Sequence, residues 1–230
     1  MSELNVKEAN QLLERMLKHA VHFGHSREKW NPKMRDFIYS VRENIHVFDL
    51  HQTMVYLVDA LNYLKTLSRD GKTVLFVSTK QQAIPIVKAT AEGTGQPYVT
   101  NKWIPGLLTN YDTVSKRIRH LKRLKEMQAT GEMGMYTKKE QSQFAKEIQK
   151  LEDALGGVSA MNKLPDALLV LDTVRDRVAV LEARKKGIPV IGVCDSNADP
   201  DLVDYMIPGN DDAIKAIEFY FDEFAAALKK

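Results

Sequence analysis

Two short apolar runs with a helical pattern between them dominate the C-terminal half of the chain. The run Leu168–Leu171 stops at Asp172, and the run Ile188–Cys194 stops at Asp195. Gly187 follows the last helical position, as the C-cap glycine of a helix does. The apolar positions of this helix are Val178, Val180, Leu181 and Ala183. Apolar strands joined by a crossover helix predict a parallel sheet that is buried on both faces.

The alternation of strand and helix patterns extends toward both ends of the chain. It predicts helices over residues 5–19 and 51–69, a helix ending at Ala91, and strands at 37–41, 45–48, 73–77, 98–99 and 203–207. Asn210-Asp-Asp-Ala is predicted to begin the last helix, with its acids complementing the helix dipole. The residues expected to pack this helix on the core are Ile214, Ile217, Phe219 and Phe224. The fold class is therefore α/β, with a mostly parallel sheet and helices on both faces.

Residues 111–155 interrupt this alternation. One apolar stripe consists of Val114, Ile118, Leu121 and Leu124, and a second of Phe144, Ile148, Leu151 and Leu155. Both have helical spacing, and Gly131 and Gly134 lie between them, so we predict an antiparallel, coiled-coil-like helical hairpin. The α/β pattern resumes at residue 165. We therefore interpret 111–155 as an insertion into a core formed by 1–110 and 156–230, in which 1–35 are an N-terminal helix and a basic loop.

Composition excludes several classes of protein. The chain has 230 residues, a formal net charge of +3 and a single cysteine, Cys194. One cysteine in an apolar strand excludes a disulfide framework and fits a reducing, cytoplasmic compartment. No apolar run approaches the length of a membrane span, and the N-terminus has no apolar signal segment, so we expect no membrane partner.

The charges are distributed unevenly, which predicts two kinds of partner. Residues 15–42 carry seven Lys or Arg against two acids, residues 115–125 carry six against none, and residues 195–212 carry six Asp and no cation. Cations with interleaved aromatic rings suit RNA, because cations meet phosphates and rings stack on bases. The candidate RNA-binding residues are Arg27, Lys29, Trp30, Lys33, Lys102, Lys116, Arg119, Lys122 and Arg123. The candidate protein-partner face consists of Asp195, Asp199, Asp201 and Asp204. The alternative for each run is a solvated surface, and for Phe23 and Trp30 it is packing against the core.

Two other interpretations stay open at this point. His22 and His25, with Asp195, Asp199 and Asp204, form a weak candidate metal site, since two histidines need further ligands from elsewhere. An enzyme that uses a divalent ion at Asp172, Asp195, Asp199, Asp201 and Asp204 is the alternative function, because carboxylates at strand ends suit phosphoryl chemistry. Neither a phosphate loop nor a dinucleotide fingerprint is present, so we expect no cofactor and no small-molecule substrate. The Ser-Thr-Lys sequence at 78–80 is interpreted as a simple helix N-cap, and the alternative is an anion site on the free N–H groups of a helix N-terminus.

An ordered set of motifs resembles the family of bacterial small-subunit ribosomal protein S-two. The motifs are His22-Phe-Gly-His25, Trp30-Asn-Pro-Lys-Met34, Trp103 with Gly106-Leu-Leu-Thr-Asn110, Leu155-Gly-Gly157, Ile188-Pro-Val-Ile191, Asp195-Ser-Asn-Ala-Asp-Pro-Asp201 and Ile207-Pro-Gly-Asn-Asp-Asp212. The resemblance runs from about residue 10 to residue 225. The chain departs from the family pattern at Pro105, where glycine is frequent, and at Ser196, where threonine is common.

The resemblance implies a flavodoxin-like α/β domain with a protruding helical hairpin. It also implies a structural, non-enzymatic protein that is bound to the ribosome, contacts small-subunit ribosomal RNA and neighbouring ribosomal proteins, and helps to hold the messenger-binding protein S-one. The segment 1–35 is polar, basic and broken by Gly24 and Pro32, so we expect it to be partly disordered in the free protein.

Overall fold

The computed structural model describes residues 6–229, which form seven α-helices and eight strands. The helices are α1 Val6–Lys18, α2 Leu50–Arg69, α3 Ile84–Thr94, α4 Tyr111–Ala129, α5 Lys138–Leu155, α6 Arg177–Lys186 and α7 Ile214–Leu228. The strands are β1 Phe23–Ser26, β2 Ile38–Arg42, β3 Ile45–Phe48, β4 Val74–Val77, β5 Tyr98–Val99, β6 Ala167–Val170, β7 Val190–Cys194 and β8 Tyr205–Pro208. None of the described helices is long and apolar enough to cross a bilayer.

Strands β4 to β8 form one parallel sheet in the order β5-β4-β6-β7-β8. Counted in chain order within the sheet this is 2-1-3-4-5, the strand order of flavodoxin-like folds. The α/β prediction and the parallel sheet are therefore confirmed. In such sheets the strand order reverses between the first and third strands, here β4 and β6, and ligands of other flavodoxin-like proteins bind in the crevice beyond that point.

The sheet divides the apolar core into two layers, because successive side chains of a strand point to opposite faces. Val74 and Phe76 of β4 belong to the layer that packs on α1, α2, α3 and α7. Leu75 and Val77 belong to the layer that contains α6 and the apolar stripes of α4 and α5. The strands β4, β6 and β7 are buried along their whole length, as continuous apolar strands require.

A smaller antiparallel sheet of β1, β3 and β2 joins the N-terminal segment to the core. The predicted strands at 37–41 and 45–48 match β2 and β3 within one residue. The prediction of a basic loop between the first helix and residue 35 is wrong in part, since this stretch contains β1, the 3-10 turn Arg27–Lys29 and the start of a second 3-10 turn, Pro32–Phe37. The four-residue strand is too short to show an apolar period, so its pairing with β3 was not visible in the sequence.

Three helix predictions require correction. Val178 and Leu181 were assigned to the buried stripe of α6 but are 50% and 45% exposed, while Glu182 of the same helix is buried. The last helix begins at Ile214, which is 53% exposed, and its first turn contains no acid. The helix after β4 begins at Ile84 with Ala83 at the N-cap, so Ser-Thr-Lys at 78–80 does not cap it.

The helices α4 and α5 lie where the hairpin was predicted and pack against each other. Their apolar stripes face inward: all four stripe residues of α4 are buried, as are Leu151 and Leu155 of α5. Thr137 and Glu140 form a capping box at the start of α5, which satisfies two backbone donors there. We therefore propose that residues 111–155 form an insertion in the α/β core.

Candidate nucleic-acid interface and strand-end charge cluster

The outer surface of α4 presents a row of exposed cations. Lys116, Arg119, Lys122 and Arg123 are all exposed and lie away from the buried stripe of the helix. We call these four residues the hairpin cations. The polar contacts between α4 and α5 include a hydrogen bond of His120 with Glu147 and an ion pair of Lys125 with Glu152, so they use other residues. Within residues 6–229 none of the hairpin cations forms a salt bridge. Their charge is available to an external anion.

The buried carboxylate of Glu182 fixes the segment that leads into the hairpin. One of its oxygens accepts hydrogen bonds from Trp103 Nε1 at 3.0 Å and Gly106 N at 2.7 Å. The other accepts from Leu108 N, Thr109 N and Thr109 Oγ1, each at 3.1 Å. Burial raises the pKa of Glu182, but these hydrogen bonds outweigh it and the pKa lies below its usual value. The side chain therefore ties α6 to the base of the hairpin as an anion.

The N-terminal basic segment is less free than the sequence predicted. Arg27 and Lys29 are exposed, as is Lys102 in the connection before the hairpin. Lys33 Nζ lies 2.8 Å from Asp199 and 2.6 Å from Asp201, so its charge is already paired. The ring of Trp30 is half-buried and lies 5.2 Å from the ring of the buried His46, which favours packing over stacking on a base.

Lys80, which follows a strand of the parallel sheet, is buried, unlike the exposed hairpin cations. Lys80 follows β4, and its side chain is 8% exposed. Its Nζ lies 2.7 Å from both Asp211 and Asp212, and 3.2 Å from Asp172, which follows β6. Burial lowers the pKa of Lys80, but the surrounding carboxylates more than reverse this, so it stays protonated. We call Lys80, Asp172, Asp211 and Asp212, with the neighbouring His25 and Asp195, the strand-end cluster.

His25 connects β1 to this cluster. Its Nδ1 lies 3.0 Å from Asp195 Oδ2 and its Nε2 lies 3.4 Å from Asp212 Oδ2. The interaction with Asp195 raises the pKa of His25 to about 9, although burial opposes the shift. The backbone N–H of His25 also donates to Asp195 Oδ1 and to Ser196 Oγ, at 3.0 and 2.9 Å. A side chain at Gly24 would come within 3.1 Å of both Asp195 and Ser196, so glycine permits this close approach.

These contacts join residues 20–35 to the carboxyl end of β7; partial disorder of residues 1–35 in the free protein stays a prediction. Asn31 N donates to Ser196 O at 2.7 Å and adds a further link. Residues 1–5, which the same prediction covered, lie outside the described part of the chain. The hydroxyl that binds His25 is present in serine and in threonine, so either residue at position 196 can make this hydrogen bond.

The crevice where flavodoxin-like folds bind their ligands is filled by the chain itself. Thr79 after β4 and Asp176 beyond β6 are joined by two hydrogen bonds, of 3.0 Å from the Thr79 N–H and 2.9 Å from its hydroxyl. Lys80 and Asp172 form an ion pair across the same crevice. The interpretation of Ser78-Thr79-Lys80 as a helix cap was therefore wrong. Thr79 and Lys80 instead bind Asp176 and Asp172, which follow β6.

The structure corrects the predicted acidic face. Asp195 is 1% exposed and bound to His25, so it is not available to a protein partner. Asp199 and Asp201 pair with Lys33. Asp204 is exposed, but one of its oxygens accepts the Val190 N–H at 2.8 Å. Most of these carboxylates therefore bind groups of the protein itself and stabilise the fold.

The candidate metal ligands are only partly brought together. His25, Asp195, Asp211 and Asp212 offer ligand atoms within 4.8 Å of one another. His22, Asp199 and Asp204 are not in this group, and the ring of His22 packs against that of Phe23, tilted by 39° with centroids 4.1 Å apart. The structure thus retains two of the five predicted residues and adds Asp211 and Asp212, which the sequence had assigned to a helix turn. Lys80 already contacts both of these added carboxylates.

Sequence reasoning missed the roles of Lys80, Asp176, Glu182 and Asp211. A usable signal existed for Lys80, since it and Asp172 both follow apolar strands, and the ends of parallel strands meet at one edge of the sheet. No comparable signal marked Glu182, because a glutamate between Leu181 and Arg184 fits an exposed helix surface equally well.

Comparison with known proteins agrees with the resemblance of the motifs. Residues 16–230 match the family model described as Ribosomal protein S2. The chain is 46% identical to a protein from a Nitratiruptor species over 93% of this chain and 80% of the relative. It is 45% identical to proteins from Wolinella succinogenes, over 94% and 79%, and from Marinobacter nauticus, over 96% and 85%. All three relatives are named small ribosomal subunit protein uS2.

The chain belongs to the ribosomal protein S2 family. It is a structural component of the small ribosomal subunit and is bound to the ribosome in the cytoplasm. The alternative function, a metal-dependent enzyme at the Asp-rich strand ends, is not supported. In this member of the S2 family those carboxylates bind Lys80, His25, Lys33 and backbone N–H groups.

Proposed function

We propose that this S2 protein binds small-subunit ribosomal RNA through the hairpin cations. The observation that supports this most is that all four are exposed on one helix and form no salt bridge within residues 6–229. A row of unpaired cations attracts the phosphate backbone, and its binding is sensitive to salt rather than to base sequence. Arg27, Lys29 and Lys102 supply further contacts, whereas Lys33 contributes less because its charge is paired.

The rigid base of the hairpin supports this role. Glu182 holds the segment 103–109 with five hydrogen bonds, and Tyr111 donates a sixth link to Met161 O at 3.0 Å. A projecting hairpin that is fixed at its base positions its cations before the RNA arrives, so that less conformational entropy is lost on binding.

Charge reversal tests the RNA proposal. Lys116, Arg119, Lys122 and Arg123 are changed together to Glu, and sedimentation of cell lysate through a sucrose gradient shows whether the protein travels with small subunits. The matched control has the same change of charge at four exposed cations elsewhere, Lys65, Arg69, Lys88 and Lys215. We expect the hairpin variant to stay at the top of the gradient and the control to sediment with subunits. Equal sedimentation of the two variants would refute the proposal.

A second part of the proposal concerns the protein S-one, whose anchoring is implied by the family resemblance. Three carboxylates of residues 195–212 remain accessible to a partner. They are Asp201, whose side chain is 71% exposed, Asp212, whose side chain is 56% exposed, and Asp204. We propose that S-one contacts this reduced face. Subunits that carry Asp201→Lys, a change at a side chain that is 71% exposed, should sediment normally but retain less S-one. Full retention of S-one by these subunits would exclude the face as its anchor.

A further inference from the structure

The outward face of α6 and of the turn before it carries only positive charge. In residues 172–187 the sequence contains five cations and three acids, so the segment looks nearly balanced. The three acids, Asp172, Asp176 and Glu182, are however 8%, 3% and 9% exposed. All five cations are exposed: Arg175, Arg177, Arg184, Lys185 and Lys186.

Each of the three acids is turned inward and fully engaged. Asp172 accepts from the Val174 and Arg175 N–H groups and lies 3.2 Å from Lys80. Asp176 accepts twice from Thr79, and Glu182 accepts five hydrogen bonds from the segment before the hairpin. Because these carboxylates are buried and accept hydrogen bonds from groups inside the fold, none of them forms a salt bridge with a surface cation of this segment, although Arg175 opposes the rise in the pKa of Asp176 that burial causes.

The cations flank an apolar ridge. At 100° per residue, Val178 and Leu181 lie on one line of the helix, Arg177 and Arg184 lie on one side of it, and Lys186 lies on the other. The two ridge residues are 50% and 45% exposed. Within residues 6–229 none of the five cations forms a salt bridge.

The carboxylates nearest to this face do not form salt bridges with its cations. Arg184 donates to the backbone carbonyl of Asp201 rather than to its carboxylate. Asp199 lies close enough to Arg177 for that cation to help lower its pKa, but the larger cause of the lowered pKa is the hydrogen bond from Lys33. An anion that covers the outward face of α6 must therefore come from another molecule.

We propose that the outward face of α6 is a second RNA-binding surface, separate from the hairpin, which takes the phosphate backbones of a double-helical RNA segment. This inference rests on the proposed RNA-binding function. RNA supplies the required density of negative charge along its backbone, and a protein partner would need five carboxylates around a matching apolar strip. A helix of about 10–12 Å diameter with cations on both flanks fits the wide, shallow minor groove of A-form RNA.

The chain offers a direct test through cysteine-tethered crosslinking. Its single cysteine, Cys194, is fully buried, and burial raises the pKa of its thiol to about 12, so it does not compete for a thiol reagent. A photoreactive group is attached to Leu181→Cys in the full chain, and the labelled protein is assembled into small subunits. Crosslinks from this position to ribosomal RNA are the expected result. Crosslinks to protein alone, or no crosslinks, would overturn the proposal.

A probe on the hairpin separates the proposal for α6 from the proposed function. Lys122→Cys carries the same photoreactive group on α4. If the hairpin probe reaches RNA and the α6 probe does not, the inference about α6 fails and the proposed function stands. If neither probe reaches RNA in assembled subunits, the proposed function fails as well.

Salt dependence gives a second readout for α6. Arg177, Arg184, Lys185 and Lys186 are changed together to Gln, and the control has Gln at Lys65, Arg69, Lys88 and Lys215. We expect at least tenfold weaker binding of the α6 variant to small-subunit ribosomal RNA and a salt slope lower by about one for each phosphate that the variant no longer binds. Unchanged thermal unfolding confirms that the variant is folded. Affinity and salt slope equal to those of the control would contradict the proposal.

Discussion

Lys80 and the hairpin cation Lys122 are both lysines of the same chain, but their surroundings are opposite. Lys80 is 8% exposed and lies within 3.2 Å of three carboxylates. Lys122 is exposed and forms no salt bridge among the described residues. The strand-end cluster closes the crevice in which flavodoxin-like proteins bind ligands, whereas the hairpin leaves its charges uncompensated in solvent.

The difference shows why the number of charges in a segment is a poor guide to binding. A buried ion pair is costly to break, since removal of one partner leaves an uncompensated charge in the interior. An exposed, unpaired cation contributes little to stability and keeps its attraction for phosphate. The cluster should therefore respond to mutation through the free energy of unfolding, and the hairpin through RNA affinity.

The largest effect is expected for Lys80→Met. This change leaves Asp172, Asp211 and Asp212 without their shared cation and should lower the free energy of unfolding by about 3–5 kcal/mol. Urea denaturation measures it. Lys88→Met is the control, because the Lys88 side chain is 54% exposed and should change stability by less than about 0.5 kcal/mol. Similar results for both variants would remove the distinction between buried and exposed lysines.

The second largest effect should be a loss of stability at high pH, caused by deprotonation of His25. The pKa of His25 is about 9 in the folded protein, against 6.5 in the absence of its partners. Its stabilising contribution is therefore complete below pH 6.5 and is lost as the pH rises through 9. This difference corresponds to about 3 kcal/mol. Urea denaturation between pH 6 and 10 should show this loss in the native chain and a flatter profile for His25→Gln; parallel profiles would argue against the ion pair with Asp195.

A smaller loss of stability is expected for Glu182→Gln. The amide keeps one acceptor oxygen but turns an N–H group toward the Leu108 and Thr109 donors, which should cost about 2 kcal/mol of unfolding free energy. Because the pKa of Glu182 is lowered, its contribution is present above the ordinary glutamate pKa of 4.5 and is lost as the pH falls through the lower pKa of the folded state, so the two proteins should converge in acid. Glu126→Gln, at an exposed position of α4, should have no measurable effect in the same assay.

The smallest effect on stability is expected for Lys122→Ala. Its free energy of unfolding should stay within about 0.5 kcal/mol of the native value. Its binding to ribosomal RNA should weaken, with the salt slope lower by about one. A clear loss of stability without a change in salt slope would mean that this cation serves the hairpin and not the RNA.

Several parts of the fold followed from local patterns alone. The buried strands β4, β6 and β7 appeared as continuous apolar runs, and the two stripes of the hairpin appeared as helical spacing, because these periods are properties of neighbouring residues. Strand β1 and the start of α7 were missed or misplaced. Strand β1 pairs with β3, farther along the chain, and Asp211 and Asp212 contact Lys80 instead of entering the first turn of α7, so tertiary contacts overrode the local signal.

The candidate site was predictable to a lesser degree. The exposed hairpin cations were found from the absence of acids in residues 115–125. Asp195 was expected to face a partner but is buried against His25, 170 residues away in the chain. The surface of α6 was not found at all, since its three acids masked five cations until their burial was known.

The sequence by itself therefore determined the types and order of the elements, the parallel sheet, the hairpin and, through its motifs, the ribosomal protein S2 family. Only the tertiary structure decided which charges are free. Lys80 meets Asp211 across 131 residues, and Glu182 meets Gly106 across 76. Local sequence fixes the period of apolar residues, but the neutralisation of a charge depends on which distant groups the fold brings within about 4 Å.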